Sequence, residues 1–345
     1  MKMKSALGIC CFVLLATGFS RGNAVEKYRL SSGREIPAVG LGTSSIKIEE
    51  MEKAILGALE NGYRHIDTAF VYDNEAAIGK ALKKWFDKGN KRENLFITSK
   101  LPTHGNRPQS VEKYLKLSLK DLGLDYVDMY LVHTPFGVEE GPNNAPLDKN
   151  GLALFEHVDH KALWKAMEAQ VKAGRAKSIG LSNFNQSQVL DVYNSAEIKP
   201  SNLQVELHGY LQQKGLQKFC KDHNMVMTAY APLGSAPARS GIHHGTEKDL
   251  PPLVEQQVVK ELANKYKKSP AQILLRHSVQ SGLVVIPKSS NPERQKANLQ
   301  IFDFKLTEEE MKKIDALDKG EKGRVFDFLA FYKDLGKNPQ YPFVK

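Results

Sequence analysis

An acid, a phenol, an amine and an imidazole stand at the polar ends of apolar, strand-like runs: Asp67, Tyr72, Lys100 and His133. From Asp67 to Lys100 is 33 residues, and from Lys100 to His133 is 33 again. Each interval holds about one strand–helix unit. Equivalent ends of successive parallel strands lie side by side at one face of a barrel. Four residues far apart in sequence then converge on one small volume, and these four make a proton-transfer site. Taken singly, each has an ordinary structural reading: a strand-end Asp and Lys often pair, and a lone Tyr is often core. The joint spacing is what speaks for chemistry.

The elements that must position them are legible as short apolar runs alternating with amphipathic stretches. The strand candidates are 65–67, 96–99, 129–132, 178–181, 203–205, 226–229 and 283–286, with one more near Val39. They are short and nearly continuously apolar, as parallel strands buried on both faces are. Helices are expected over 48–61, 111–122 and 253–266, where apolar residues recur three and four apart. Ser269-Pro270 and Asn291-Pro292 are N-cap and first-turn signals. About eight strands with helices between them predict an α/β chain folded as a (β/α)8 barrel. An open doubly wound sheet is the alternative, but Gly40-Leu41-Gly42 lacks the third glycine of a dinucleotide fingerprint. Tyr28 to Ile36, turning at Ser32-Gly33, reads as an N-terminal hairpin closing the barrel bottom. Residues 135–159, 233–252 and the tail from 320 read as long irregular loops at the catalytic end. A single domain over 25–345 is expected.

Residues 1–24 read as a leader. Lys2 and Lys4 precede an apolar run, Ala6 to Phe19, too short to span a bilayer, with cuts expected after Ser20 or Ala24. The expectation is a secreted protein with no membrane anchor in its mature form. Losing Lys2, Lys4 and Arg21 lowers the formal net charge from +10 to +7. That modest balance, without a dense basic block, speaks against nucleic acid as a partner. The cut also removes Cys10 and Cys11 and leaves Cys220, whose helical spacing from Leu216 and Phe219 marks a buried core thiol. The Asn185-Gln186-Ser187 sequon falls at an expected helix start. No metal is expected, because His157 with His160 and His243-His244 lie in or beside polar loops. No coiled-coil seam is evident, so a monomer is expected.

Several motifs in fixed order give the chain a resemblance to the aldo-keto reductase family along nearly its whole mature length. They are Gly40-Leu41-Gly42-Thr43, Tyr63 through Ala69 and on to Tyr72 and Asn74-Glu75, Ser99-Lys100, and Leu131-Val132-His133. Gly180 to Phe184, Gln204-Val205-Glu206, Tyr230 to Ser235, and Ile286 to Ser289 through Arg294 and Asn298 to Phe304 complete the set. The resemblance implies hydride transfer from a nicotinamide to a carbonyl, with Tyr72 as general acid. A phenol titrates near ~10, and the ammonium of Lys100, held by Asp67, is expected to lower that value. His133 would orient the carbonyl oxygen. Tyr230 would stack on the nicotinamide, while Ser182, Asn183 and Gln204 would hold its carboxamide. Thr43, Asp67, Leu233 and Ser235 would also touch the cofactor. Lys288, Ser289, Ser290 and Arg294, at a helix N-terminus, would take a 2′-phosphate, which makes NADPH the expected cofactor. Asn298 would contact the adenine.

Ser44 and Thr134 stand where many family members carry aromatic residues, so the resemblance implies a widened pocket. With Tyr72, His133 and the tail aromatics Phe328 and Phe331, they would line the substrate site. The expected substrate is a small-molecule carbonyl with a bulky, partly polar body, such as a steroid ketone. The leader adds a resemblance to the secreted insect branch of the family, which implies a 3-keto ecdysteroid such as 3-dehydroecdysone. Two other readings stay open: a reductase of broad aldehydes and sugars, and a non-catalytic binder of dinucleotide or hormone.

Overall fold

In the computed structural model, which describes residues 25–141, 146–235 and 250–343, the apolar runs become parallel strands. An antiparallel hairpin, Lys27–Arg29 (β1) and Glu35–Pro37 (β2), comes first. Leu41–Gly42 (β3), His65–Asp67 (β4), Phe96–Leu101 (β5) and Val127–Val132 (β6) follow. A small antiparallel ribbon, Gly137–Val138 (β7) with Phe155–Glu156 (β8), interrupts them. Ala176–Ser182 (β9), Asn202–Glu206 (β10), Val226–Tyr230 (β11) and Val284–Val285 (β12) complete the set.

Eight of these form one parallel sheet, ordered β12-β11-β10-β9-β6-β5-β4-β3. Its two edges meet. Val39 bridges Val285, Gly42 bridges Lys288, and the Gly40 N–H donates to Val285 O at 2.9 Å. The sheet is therefore a closed barrel, and the open alternative is excluded. Closure explains the two glycines of the first motif. A Cβ on Gly40 would lie 2.5 Å from His65 Nδ1, and one on Gly42 would lie 2.7 Å from Ile286 O. At the barrel floor, Leu30 and Ile36 of the hairpin region pack on Phe96, Met129, Leu131 and Val284. The expected bottom plug is present.

Helices Ile48–Glu60 (α1), Glu75–Asp87 (α2), Val111–Leu122 (α3), His160–Lys172 (α4), Gln186–Ser195 (α5) and Lys214–Asp222 (α6) wrap the barrel. Gln257–Tyr266 (α7), Pro270–Gln280 (α8), Pro292–Leu299 (α9) and Glu308–Asp315 (α10) continue the ring. The α1 stripe Met51, Ile55 and Leu59 is buried, contributing roughly 1.5–3 kcal/mol per side chain. Both expected caps form: Ser269 makes a capping box with Gln272, and Asn291 accepts the Arg294 N–H.

Some boundaries differ from expectation. The stretch 135–159 is not wholly irregular, since it holds the β7–β8 ribbon. The helix expected from 253 opens as a 3-10 turn, Leu253–Glu255, and becomes α-helical at Gln257. Cys220 is buried, and burial pushes its thiol up to about 12. Residues 1–24 and His243-His244 lie outside the described residues. Among the described residues no helix is long and apolar enough to cross a membrane, and no three metal-ligating side chains cluster.

Candidate active site

Strand ends bring the predicted residues to one mouth of the barrel. Asp67 ends β4, Lys100 is the penultimate residue of β5, and His133 follows β6. Tyr72 is placed differently from the strand end expected for it. It lies in a 3-10 turn, Phe70–Tyr72, after β4. A small network fixes that turn. Thr43 Oγ1 donates to Asp67 O at 2.9 Å, Asn74 Nδ2 to Thr43 O at 3.1 Å, and Thr68 Oγ1 to Asn74 Oδ1 at 2.8 Å. Asp73 then ends the turn in the left-handed region, φ 51°.

Lys100 is fully buried, and its Nζ is 2.6 Å from Asp67 Oδ1, 2.9 Å from Thr68 O and 3.4 Å from Tyr72 Oη. An ammonium has three protons and no lone pair. All three are directed at acceptors, so the phenol oxygen receives a hydrogen bond and its own proton is free to point elsewhere. Burial works against the ammonium, but Asp67 and Tyr72 outweigh it and hold the Lys100 amine above its ordinary value. The expectation that Lys100 lowers the phenol below its ordinary value needs correction. Burial raises Tyr72, Lys100 opposes that, and the net direction is up. His133 meets Tyr72 edge-on, with ring centroids 5.8 Å apart. Burial, aided by Lys100, holds its imidazole well below the usual range, so it is neutral at physiological pH.

These groups face a cavity of about 770 Å³. Thr43, Ser182, Asn183, Gln204, Tyr230, Leu233, Ser235 and Lys288 line it, as do Ser44, Thr134, Phe328 and Phe331. Asn183 stands at φ 64°, donates to His133 O at 2.8 Å and accepts from the Tyr230 hydroxyl at 2.9 Å. Gln204 does something the sequence did not announce: its Nε2 donates to Asp67 Oδ2 at 2.8 Å. The carboxylate of Asp67 is thus held from both sides. The second N–H and the carbonyl oxygen of Gln204 remain for a ligand, and Ser182 and Asn183 flank them. This donor and acceptor set fits a carboxamide.

Ser289, Ser290, Arg294 and Asn298 are not among the cavity-lining residues. They lie beyond Lys288, on the turn into α9 and on α9 itself. Ser289 is buried and bonds the Asn291 N–H at 3.1 Å, while Lys288 and Arg294 are exposed. Asn298 is buried, on the helix whose Gln295 carbonyl accepts the Tyr63 hydroxyl at 3.1 Å. Exposed cations beside the start of a capped helix fit a phosphate group. Val71 and Thr103, which sequence reasoning missed, also line the cavity. Val71 precedes Tyr72 in the 3-10 turn, and its neighbour was the only signal.

The Aldo/keto reductase family model matches residues 38–319. The chain is 46% identical to chicken aldo-keto reductase family 1 member A1 over 319 residues, covering 91% of this chain and 96% of that protein. It is 42% identical to the human member A1 protein, covering 91% and 97%. Among solved structures, the aldose reductase of Schistosoma japonicum superposes with a TM-score of 0.84 at 39% identity, covering 93% of this chain and 99% of that one. These relatives correct one expectation. Secretion is not supported, because the member A1 reductases that the chain matches along nearly their full length are cytosolic enzymes. The chain belongs to the aldo/keto reductase family, and it is an oxidoreductase that uses a nicotinamide nucleotide to act on carbonyl groups.

Proposed function

We propose that this enzyme reduces a carbonyl to an alcohol with NADPH, and that Tyr72 donates the proton. The observation that carries the reading is the threefold donation by Lys100, which makes Tyr72 Oη an acceptor and leaves the phenolic proton for the substrate. Bound NADPH would supply the hydride. Tyr230, Ser182, Asn183 and Gln204 would orient its nicotinamide end, and Lys288 with Arg294 would take the 2′-phosphate. Neutral His133 would donate a hydrogen bond to the carbonyl oxygen and hold it against Tyr72. An imidazole held neutral is a poor proton source, which favours Tyr72 as the acid.

The substrate reading is a ketone with a bulky, partly polar body, a 3-keto steroid being the expected class. Support comes from the lining: small Ser44 and Thr134 leave room, and Phe326, Phe328, Phe331 and Tyr332 supply apolar surface. Phe331 is 58% exposed and Val71 42%, so the cavity has an apolar lip. A second reading, broad aldehydes and sugars, is favoured by the likeness to a structure described as an aldose reductase.

The test is the rate of reduced-nicotinamide consumption by purified protein, with NADPH or NADH, on a 3-keto ecdysteroid and on glyceraldehyde. NADPH with the ketone is expected to give the highest kcat/KM. Equal rates with the two nucleotides would contradict the role of Lys288 and Arg294. Preference for glyceraldehyde would replace the steroid reading by the second one.

A further inference from the structure

Four aromatic side chains of the cavity wall, Phe326, Phe328, Phe331 and Tyr332, belong to the tail after α10. Little regular structure holds that tail. It contains two short 3-10 turns, Gly320–Gly323 and Leu335–Lys337. Yet Phe328 stands at φ 65°, a left-handed conformation that a bulky residue rarely adopts and that a loose strap would relax. Something fixes the main chain on either side of it.

The nearer fixed point is Glu206, the last residue of β10, whose side chain is fully buried. Its Oε1 accepts the Val325 N–H at 2.8 Å, and its Oε2 accepts the Phe326 N–H at 2.9 Å. His208 Nε2 lies 2.9 Å from Oε1. A carboxylate only accepts, so the ring donates there, and its Nδ1 takes the Tyr210 N–H at 3.3 Å. Arg324 Nη1 is 4.0 Å from Oε2, while the rest of that guanidinium grips both oxygens of Glu321. The farther fixed point is Gln340. Its side chain exchanges two hydrogen bonds with the main chain of Val158, at 2.9 and 2.8 Å. The aromatic wall lies between these two points.

Burying a carboxylate is unfavourable unless donors match its oxygens. At Glu206, two of those donors are main-chain N–H groups of the tail itself. Glu206 is also two residues after Gln204, so both side chains leave the same face of β10. Gln204 holds Asp67, and Glu206 holds the tail. One strand therefore references the proton donor's ion pair and the substrate wall to each other.

We propose that Glu206 is a positioning residue for substrate specificity. By fixing Val325 and Phe326 it sets the distance between the aromatic wall and Tyr72, and so selects substrates with a bulky body. This inference rests on the carbonyl-reductase reading of the same cavity.

The test compares native protein, Glu206→Gln and Glu206→Asp on a bulky 3-keto steroid and on glyceraldehyde, with NADPH in excess. The glutamine amide would set a donor against a tail N–H, whereas aspartate keeps an acceptor but draws it back. Glu206→Gln should lower the ketone-to-glyceraldehyde ratio of kcat/KM about tenfold, an effect of about 1.4 kcal/mol. The fall should appear in KM for the ketone, with glyceraldehyde kcat and NADPH affinity unchanged. Glu206→Asp should give an intermediate ratio. An unchanged ratio in Glu206→Gln, or equal losses on both substrates, overturns the proposal. Should the glutamine variant not fold, Glu206→Asp alone decides: a lowered ratio supports the proposal, and the native ratio overturns it. Native protein inactive on both substrates would instead refute the carbonyl-reductase reading.

Discussion

Lys100 is the residue on which the site turns, because its three protons join Asp67, the Thr68 carbonyl and Tyr72. Breaking a buried ion pair from one side leaves an uncompensated charge. Lys100→Met is therefore expected to cost about 3–5 kcal/mol of unfolding free energy, even with Gln204 still bonded to Asp67. It also removes the one influence that pulls the phenol of Tyr72 down against burial. Turnover should fall with it, by a factor on the order of 10². Denaturant unfolding and steady-state rates on the same preparation check both; a variant as stable and active as the native protein would contradict this account. The four chemical residues were legible in sequence because their types and spacing are unusual together. The Gln204–Asp67 bond was not, because its partners are 137 residues apart and no local pattern announces it. The direction of the Tyr72 shift was also illegible, since burial is a property of the folded walls.

Strands and caps were the most legible elements. Continuous apolar runs became β5, β6 and β9 almost as read, and the Ser269 and Asn291 signals became real caps. The two-residue ribbon β7–β8 was invisible, because so short a pairing is set by tertiary contacts rather than by propensity. The Gly-Leu-Gly motif was read as a resemblance, and only closure of the barrel gives its physical cause. Gly40→Ala would drive a methyl into the His65 ring, and overpacking of this kind typically costs about 1–3 kcal/mol. A melting temperature several degrees lower is expected, with carbonyl-reducing activity retained at low temperature. An unchanged melting temperature would mean that the β3–β12 closure is slacker than the structure has it.

At the scale of the whole molecule, buried histidines tie stability to pH. Burial holds the His65 imidazole at about 4 and the His133 imidazole well below the usual range, whereas unfolded histidine titrates near ~6.5. The unfolded chain thus binds more protons in this window, and stability falls as pH drops from about 6.5 toward 4. Glu75, raised by burial, acts in the opposite direction, but it is one group against three, since burial lowers His160 as well. The melting temperature is expected to decline across this window, before most carboxylates titrate; a flat profile would contradict it. The overall barrel was legible as a count of alternating elements. How the tail supplies the aromatic wall was not, because its side chains carry no periodicity and Glu206 reaches it across 119 residues.

The most direct test of the central claim is the turnover of Tyr72→Phe with NADPH and a carbonyl substrate, measured alongside its NADPH affinity. Removing one hydroxyl oxygen leaves the ring and the Asp67–Lys100 pair in place. If Tyr72 donates the proton, kcat should fall by roughly 10²–10⁴ with nucleotide binding unchanged. Turnover equal to that of the native protein would contradict the account.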